Sequence, residues 1–379
     1  MNRSRYTALS LLLATFTLAL VLAACGGPGP VDDPYADPGT APPPTITDAT
    51  IATSGSVAPR PGSADLIDIN VAGFAAPSGF VSALDLPALD GGDFVVVEDG
   101  VVKGITVERI GGDVRAAADI AFVFDTTGSM GGALSSVQES IIAFVDFLDG
   151  RGLDLRVGAV TFGDAFDTIS GSRGESITDM TPPSFDPSER PSFPLSNDYA
   201  AFRTFIEGDS PRGGGDTPEN ALGALEFAYD TLAWRTGAQK ILIVIIDTCS
   251  HNDVTFAAFG EPGEPWMPPN PDDLLARMRG DAIVHSVSPL DVIANDFWCS
   301  EEHTDMAMFT GAAGTGGVFV PVAFGAFDFD LTELPIAEVA AGGYIVTYRG
   351  TRTGTMHTVR VVIDDGSDIR GEFTVNATY

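Results

Sequence analysis

The sequence predicts an α/β protein. It would carry a doubly wound, mostly parallel sheet with helices on both faces, flanked by a β-sandwich-like domain built from the N- and C-terminal segments. Three observations carry this expectation. Between about residues 117 and 340, continuously apolar runs alternate with amphipathic stretches, the pattern of βαβ units whose strands are buried on both faces. On either side lie short β-rich runs separated by turn residues. The chain is also long enough for both parts, with 379 residues, 44% of them hydrophobic, and 24 Phe.

The chain starts with Arg3 and Arg5, an apolar stretch over residues 8–22, and then "LAAC" ending at Cys25. A basic start, a short apolar middle and small residues before a cleavage point describe a secretory signal over residues 1–24. An uncleaved anchor helix is the alternative, but a membrane span needs roughly 20 apolar residues. A Cys directly after the cleavage point resembles the lipobox of bacterial lipoproteins, with Cys25 as the lipidated residue. This implies a lipid-anchored, extracytoplasmic protein of the cell envelope, at the outer membrane if the host has one, because Gly26 rather than Asp follows the Cys. Residues 25–44, "CGGPGPVDDPYADPGTAPPP", are too rich in Pro, Gly and Asp to bury a core and form a tether.

Residues 45–115 contain "LIDINVAGF", "GFVSALDL" and "DFVVVEDGVVKGITVERI", the last read as one hairpin turning at "EDG". Residues 341–379 add "GGYIVTYRG", "MHTVRVVIDDG" and "EFTVNA". Neither set makes a comfortable sandwich alone; together they do, with residues 116–340 inserted between them. Within that insertion "DIAFVFD", "LDLRVGAVTFGD", "QKILIVIIDT", "AIVHSVSP" and "GGVFVPV" are strands. Leu134, Val137, Ile141, Val145 and Leu148 recur at helical spacing. "DYAAFRTFIEG", "TPENALGALEFAYDTL" with Pro218 in its first turn, "PDDLLARMRG" and "EEHTDMAMFTGAA" are further helices.

In such sheets ligands gather outside the carboxyl ends of the strands. Two apolar strands end there in an acid, Asp125 and Asp247. Between them in sequence runs "RGGGDTPEN", a Gly-rich loop carrying Asp216, Thr217 and Glu219. Asp125, Thr127 and Ser129 follow an Asp-x-Thr-x-Ser spacing that turns a carboxylate and two hydroxyls toward one point on a tight loop. Oxygen donors of this kind suit a hard divalent cation, Mg²⁺ first, or Ca²⁺ or Mn²⁺. A net charge of −32 argues against nucleic acid or an anionic membrane surface as partner.

"FVFDTTGSM", "GGGDTPENAL" and "IVIIDT" resemble, in order, the three loops of the metal-ion-dependent adhesion site of the von Willebrand factor type A domain. Composition alone yields an Asp-x-[Ser/Thr]-x-Ser triplet often enough that agreement of all three loops carries the specificity. The resemblance implies metal ligation by Asp125, Thr127, Ser129 and Asp247. For the middle loop it leaves a choice: Thr217 is the usual family position, whereas "DTPE" is similar to the integrin β-subunit loop, which implies Glu219, with Asp216 also in reach. Gly131 and Gly132 stand where integrin β-subunits carry the acids of a flanking metal site.

The resemblance implies recognition, in which an exposed Asp or Glu of a partner protein replaces a metal-bound water. No general base or nucleophile pairs with the three loops, since only His251 falls near them, so an enzyme is not expected. The rivals are a metal-stabilised scaffold in an envelope assembly and, further off, a metal-dependent hydrolase. Trp266 and Trp298 follow the fourth and fifth strands, either as a ligand rim or as packing for their own loops. Cys249 and Cys299 form a disulfide in a secreted context. The alternatives are a Cys₂His₂ zinc set with His251 and His303, or two free thiols.

Overall fold

The computed structural model describes residues 33–38, 44–76, 79–80, 86, 88–110, 117–150, 154–163, 192–211, 218–253, 269–290, 292, 299, 303–323, 330–333, 343–350 and 354–379. Cys25, Asp216, Thr217, Trp266, Trp298 and the signal stretch lie outside the described residues.

The α/β part is organised by one six-stranded sheet. Strands β7 (Ala117–Asp125), β8 (Asp154–Phe162), β10 (Gln239–Ile245), β11 (Ala282–Pro289), β12 (Phe319–Val322) and the edge strand β9 (Ser192–Ser196) stand in the order β12-β11-β10-β7-β8-β9. All neighbours are parallel except β8 and β9. Side chains on β7 alternate between two dry faces. Ile120, Phe122 and Phe124 pack with helices α1 (Leu134–Gly150) and α2 (Tyr199–Gly208). Ala121 and Val123 pack with helices α3 (Ala221–Thr231) and α4 (Pro271–Met278) on the other side. Helices on both faces explain why the middle stretches of β7 and β10, "IAFVF" and "ILIVI", are unbroken apolar runs.

One polar position on β7 is Asp119, which is wholly buried. Arg235 meets it with its backbone N–H and its Nε, each at 2.7 Å, and reaches Asp154 through Nη1 at 2.6 Å. A buried carboxylate is tolerated where a guanidinium and hydrogen bonds replace its water.

The flanking strands form two antiparallel sheets. One takes β1 (Ala52–Pro59), β2 (Leu66–Ala76), β13 (Gly343–Arg349) and β6 (Ile105–Ile110), with β3 (Gly79–Phe80) on β2. The other takes β15 (Arg370–Thr378), β14 (Met356–Asp364), β4 (Phe94–Glu98) and β5 (Val101–Val102). Ile67, Ile69, Val71 and Tyr344 from the first share a core with Phe94, Val96, Val361 and Phe373 from the second. Each sheet thus mixes N- and C-terminal strands. The sandwich meets the α/β part at the amino ends of β10 and β11: Ser56 Oγ donates to Gly237 O at 2.9 Å, and Gly55 N to Gly280 O at 2.9 Å.

Three local expectations need correction. The hairpin at "EDG" has only Val101–Val102 as its second arm. The chain then crosses to the other sheet, where Ile105–Ile110 pairs with β13. Gly104 permits the crossing, because a Cβ there would lie 2.3 Å from the carbonyl oxygen of Ala36. The helix expected over "EEHTDMAMFTGAA" shrinks to a 3₁₀ turn at Met306–Phe309, since Thr304 pairs with Ser250 and Gly311 takes φ +67°. The helix after "TPEN" starts at Ala221, so Pro218 precedes its first turn.

His285 on β11 is fully buried, with its Nδ1 accepting from Val318 N at 3.0 Å. Burial pushes its pKa down to about 3 from 6.5. Between those two pH values the unfolded ring binds a proton that the folded one does not. Stability therefore falls as pH drops below 6.5, by up to about 1.4 kcal/mol per unit, until about pH 3. Urea titrations across that window should show a shallower acid-side slope for His285→Gln than for the parent chain.

Candidate metal centre

The carboxyl ends of β7 and β10 are adjacent at the place where the strand order reverses, with Phe124 opposite Ile245. That reversal opens a crevice, and the chain puts Asp125 and Asp247 on its two sides. After β7 the chain turns at once. Thr126 donates through both N and Oγ1 to Phe162 O, at 2.9 and 3.1 Å, which ties the loop to the end of β8. Asp125 Oδ1 accepts from Thr127 N at 2.7 Å, an Asx turn that curls the loop over its own carboxylate. The Thr127 and Ser129 hydroxyls then sit 3.0 Å apart. A 3₁₀ turn, Gly128–Gly132, buries Met130 in the core and hands over to α1 at Leu134.

Glu219 reaches the same rim from a third direction. Its N–H donates to Cys249 O at 3.0 Å, and its C=O accepts from His251 N at 2.9 Å. Both backbone groups are therefore spent on a short bridge to the segment behind Asp247. This is why Glu219 stays extended and α3 starts two residues later, capped by Asn220, whose N–H donates to Gly163 O at 3.0 Å. Asp125 is fully buried, Glu219 is 2% and Asp247 3% exposed, whereas Ser129 faces solvent.

Sequence reasoning missed the brace behind these acids. Ser250 is fully buried and exchanges backbone hydrogen bonds with Thr304, at 2.8 and 2.9 Å. Its Oγ accepts from Leu222 N at 2.9 Å and lies 3.2 Å from Glu219 O. A run of polar residues, "TCSHN", directly after the most apolar strand was the available signal. Its pairing with a residue more than fifty positions away was not readable.

Cys249 and Cys299 are joined by a disulfide, Cα to Cα 6.2 Å. Both sulfurs are therefore committed, which removes the Cys₂His₂ set; the His251 and His303 rings lie 5.8 Å apart beside it. Among the described residues, no three Cys, His, Asp or Glu side chains close into a metal cage by themselves. The donor set at the rim is carboxylate and hydroxyl oxygen. It fits a hard dication that keeps waters, and it does not fit a soft-metal site.

The stretch 119–284 matches the family model of the von Willebrand factor type A domain. This stretch is a von Willebrand factor A domain. The chain is also 33% identical over 123 residues to an ariadne-like RING finger protein of Acanthamoeba polyphaga mimivirus, covering 32% of this chain and 10% of that one. Among solved structures it is similar to proximal thread matrix protein 1 from the mussel byssus, in a form with a zinc-occupied metal-ion-dependent adhesion motif. That match has 16% identity, 65% coverage of this chain, 50% of that one and a TM-score of 0.38. BatB of Bacteroides thetaiotaomicron is matched at 17% identity, over 54% of this chain and 90% of that one, with a TM-score of 0.31. The chain thus spans a tenth of the viral relative and half of the mussel protein. Von Willebrand factor A domains are typically metal-dependent protein-interaction modules.

Thr127→Val keeps the side-chain shape and removes the hydroxyl facing Ser129. Titration with Mn²⁺, followed by the paramagnetic signal of the free ion, should show affinity falling about tenfold or more, with Thr127→Ser near the parent value.

Proposed function

We propose that this protein is a surface-anchored, divalent-cation-dependent binding module, in which an Asp or Glu from a partner protein completes the shell of the metal. Asp125, Thr127, Ser129, Glu219 and Asp247 hold the ion, Mg²⁺ in the first instance, with Asp216 or Thr217 as the other middle-loop candidates. The observation that supports the reading is the backbone linkage of three loops at the carboxyl ends of paired strands, with Asp125, Glu219 and Asp247 buried and Ser129 exposed. A dication there offsets the cost of holding several negative charges out of water. A water on its open side can be exchanged for an incoming carboxylate. The acidic chain repels acidic partners at long range, so specificity falls to side chains around the rim, for which Trp266 and Trp298 are the candidates from the sequence.

The anchor in this reading is the lipid on Cys25. Among the described residues no helix is long and apolar enough to cross a membrane. Asp37 and Pro44, which follow the anchor in sequence, contact the sandwich: Lys103 meets Asp37 at 3.0 Å and Arg360 donates to Pro44 O at 2.9 Å. The sandwich in turn meets the α/β part at the amino ends of its strands, opposite the rim.

The test is capture of envelope proteins on the immobilised chain in Mg²⁺, followed by elution with chelator. The expected result is a partner released by chelator and not captured by a folded Asp125→Ala variant. Capture indifferent to chelator would exclude the adhesion reading. An Asp125→Ala chain that fails to fold or assemble favours a metal-stabilised scaffold instead.

A further inference from the structure

We propose that the Cys249–Cys299 disulfide and the Ser250 hydroxyl form a clasp that positions both Asp247 and Glu219, so that the metal site is complete only in the oxidised chain. The proposal rests on the metal-binding reading above and adds to it a requirement that the three loops alone do not contain.

The sheet stops holding the chain just before Asp247. The β10–β11 pairing runs to Ile245, and Ile246 N donates to Val287 O at 3.0 Å. From Asp247 onward the backbone leaves the ladder, so the position of its carboxylate depends on what grips residues 248–251. Several contacts do so, the donation of His251 N to Glu219 O at 2.9 Å among them. The disulfide fastens Cys249, two residues past Asp247, to Cys299 in the segment after β11. Cys249 O accepts the Glu219 N–H at 3.0 Å. Ser250 exchanges both backbone hydrogen bonds with Thr304. Its Oγ accepts Leu222 N at 2.9 Å, fixing the first turn of α3 just past Glu219. One residue, Cys249, thus carries the covalent bond and the carbonyl that holds the Glu219 backbone. Its neighbour fastens the same loop from the other side.

The surroundings suit a permanent bond. Cys249 is fully buried, Cys299 is 6% exposed, and the Thr248 hydroxyl lies 3.4 Å from Cys299 Sγ. With the Sγ–Sγ bond cut, the loop after Asp247 loses its covalent tie to the segment after β11. The Asp125 loop has a fastening of its own, the Thr126 bonds to Phe162 O. The clasp therefore governs how completely the shell closes rather than whether the domain folds.

The experiment compares the oxidised full chain with Cys249→Ser/Cys299→Ser and with Ser250→Ala. It measures Mn²⁺ affinity by the paramagnetic signal of free ion and amide hydrogen exchange at Glu219 and Leu222. A further arm treats the parent chain with a dithiol, which passes two electrons and two protons to the bond, becomes a cyclic disulfide and leaves two cysteine thiols. The clasp predicts ten- to a hundredfold weaker Mn²⁺ binding in the double variant and the reduced chain, about tenfold in Ser250→Ala, and faster exchange at both amides. Circular dichroism and exchange in the sandwich strands should not change. Parent-like affinity and exchange in Ser250→Ala and in the reduced chain overturn the proposal. If the double variant does not fold, those two samples decide. If the oxidised parent chain takes up no Mn²⁺, the metal reading falls while the two amides still judge the clasp, which survives only if they exchange faster.

Discussion

Ending a buried strand on a carboxylate is costly, and the fold handles that cost differently at the two ends of one strand. Near the amino end of β7, Asp119 is neutralised in place by Arg235, through its backbone N–H and its Nε. At the carboxyl end, Asp125 is buried where the strand order reverses and a neighbouring strand delivers Asp247. Loops bending away from that reversal leave a crevice, and a third segment brings Glu219 to it. Charges of one sign gathered at a sheet rim are held together most readily by a cation from outside the chain. A guanidinium at this rim would stabilise the domain equally well and would close it to ligands. Asp119 is thus paired within the chain, whereas Asp125 lies at the carboxyl-end rim of the sheet.

That arrangement follows from strand order more than from the loops themselves. Because β10 inserts beside β7 on the side opposite β8, the loops after β7 and β10 neighbour each other although more than one hundred residues separate them. The segment before α3 can then lie across both. Its Asn220 bonds to Gly163 after β8, and its Glu219 to Cys249 after β10. Each loop is tied to the strand beside its own, so displacement of any one disturbs the others. Rigid strands thus transmit their spacing to oxygens that sit outside the sheet.

Much of this was legible in the sequence. Strands buried on both faces announce themselves as unbroken apolar runs, and β7, β10 and β11 were found for that reason. The acids ending β7 and β10 were visible because an acid directly after such a run is conspicuous. The disulfide between Cys249 and Cys299 was one of the pairings the sequence offered for its two remaining cysteines. What stayed hidden depended on contacts distant in sequence. Glu219 looks helical, because Pro218 favours a helix start. Its N–H and C=O are instead taken by Cys249 and His251, and a tertiary bridge overrides the local preference. The same bridge strip, continued to Thr304, dissolves the first half of a helix that the pattern at residues 301–313 favours. Strand β9 escaped notice because Pro194 sits in it, which an antiparallel edge strand tolerates and a central one does not. Strand β1, "ATSGSVAP", lacks the bulky residues that mark a strand, and Gly55 explains why: a Cβ there would lie 2.6 Å from both Asn70 O and the Phe373 ring.

The sandwich raises the question of why a metal-site domain should be inserted into a second fold rather than follow it. With strands from before and after the insertion paired in both sheets, neither sheet can form until the chain has returned from the α/β part. The insertion is thereby held at two chain crossings instead of one, and a domain held twice cannot swivel as freely as one on a single linker. The contacts fall where that restraint does no harm. Gly237 and Gly280, which receive Ser56 and Gly55, precede β10 and β11 at their amino ends. The rim that carries Asp125, Ser129 and Asp247 is at the opposite ends of the strands. A parallel sheet gives the domain two chemically different edges. The amino-end edge is attached to the sandwich, and the carboxyl-end edge carries Asp125, Ser129 and Asp247.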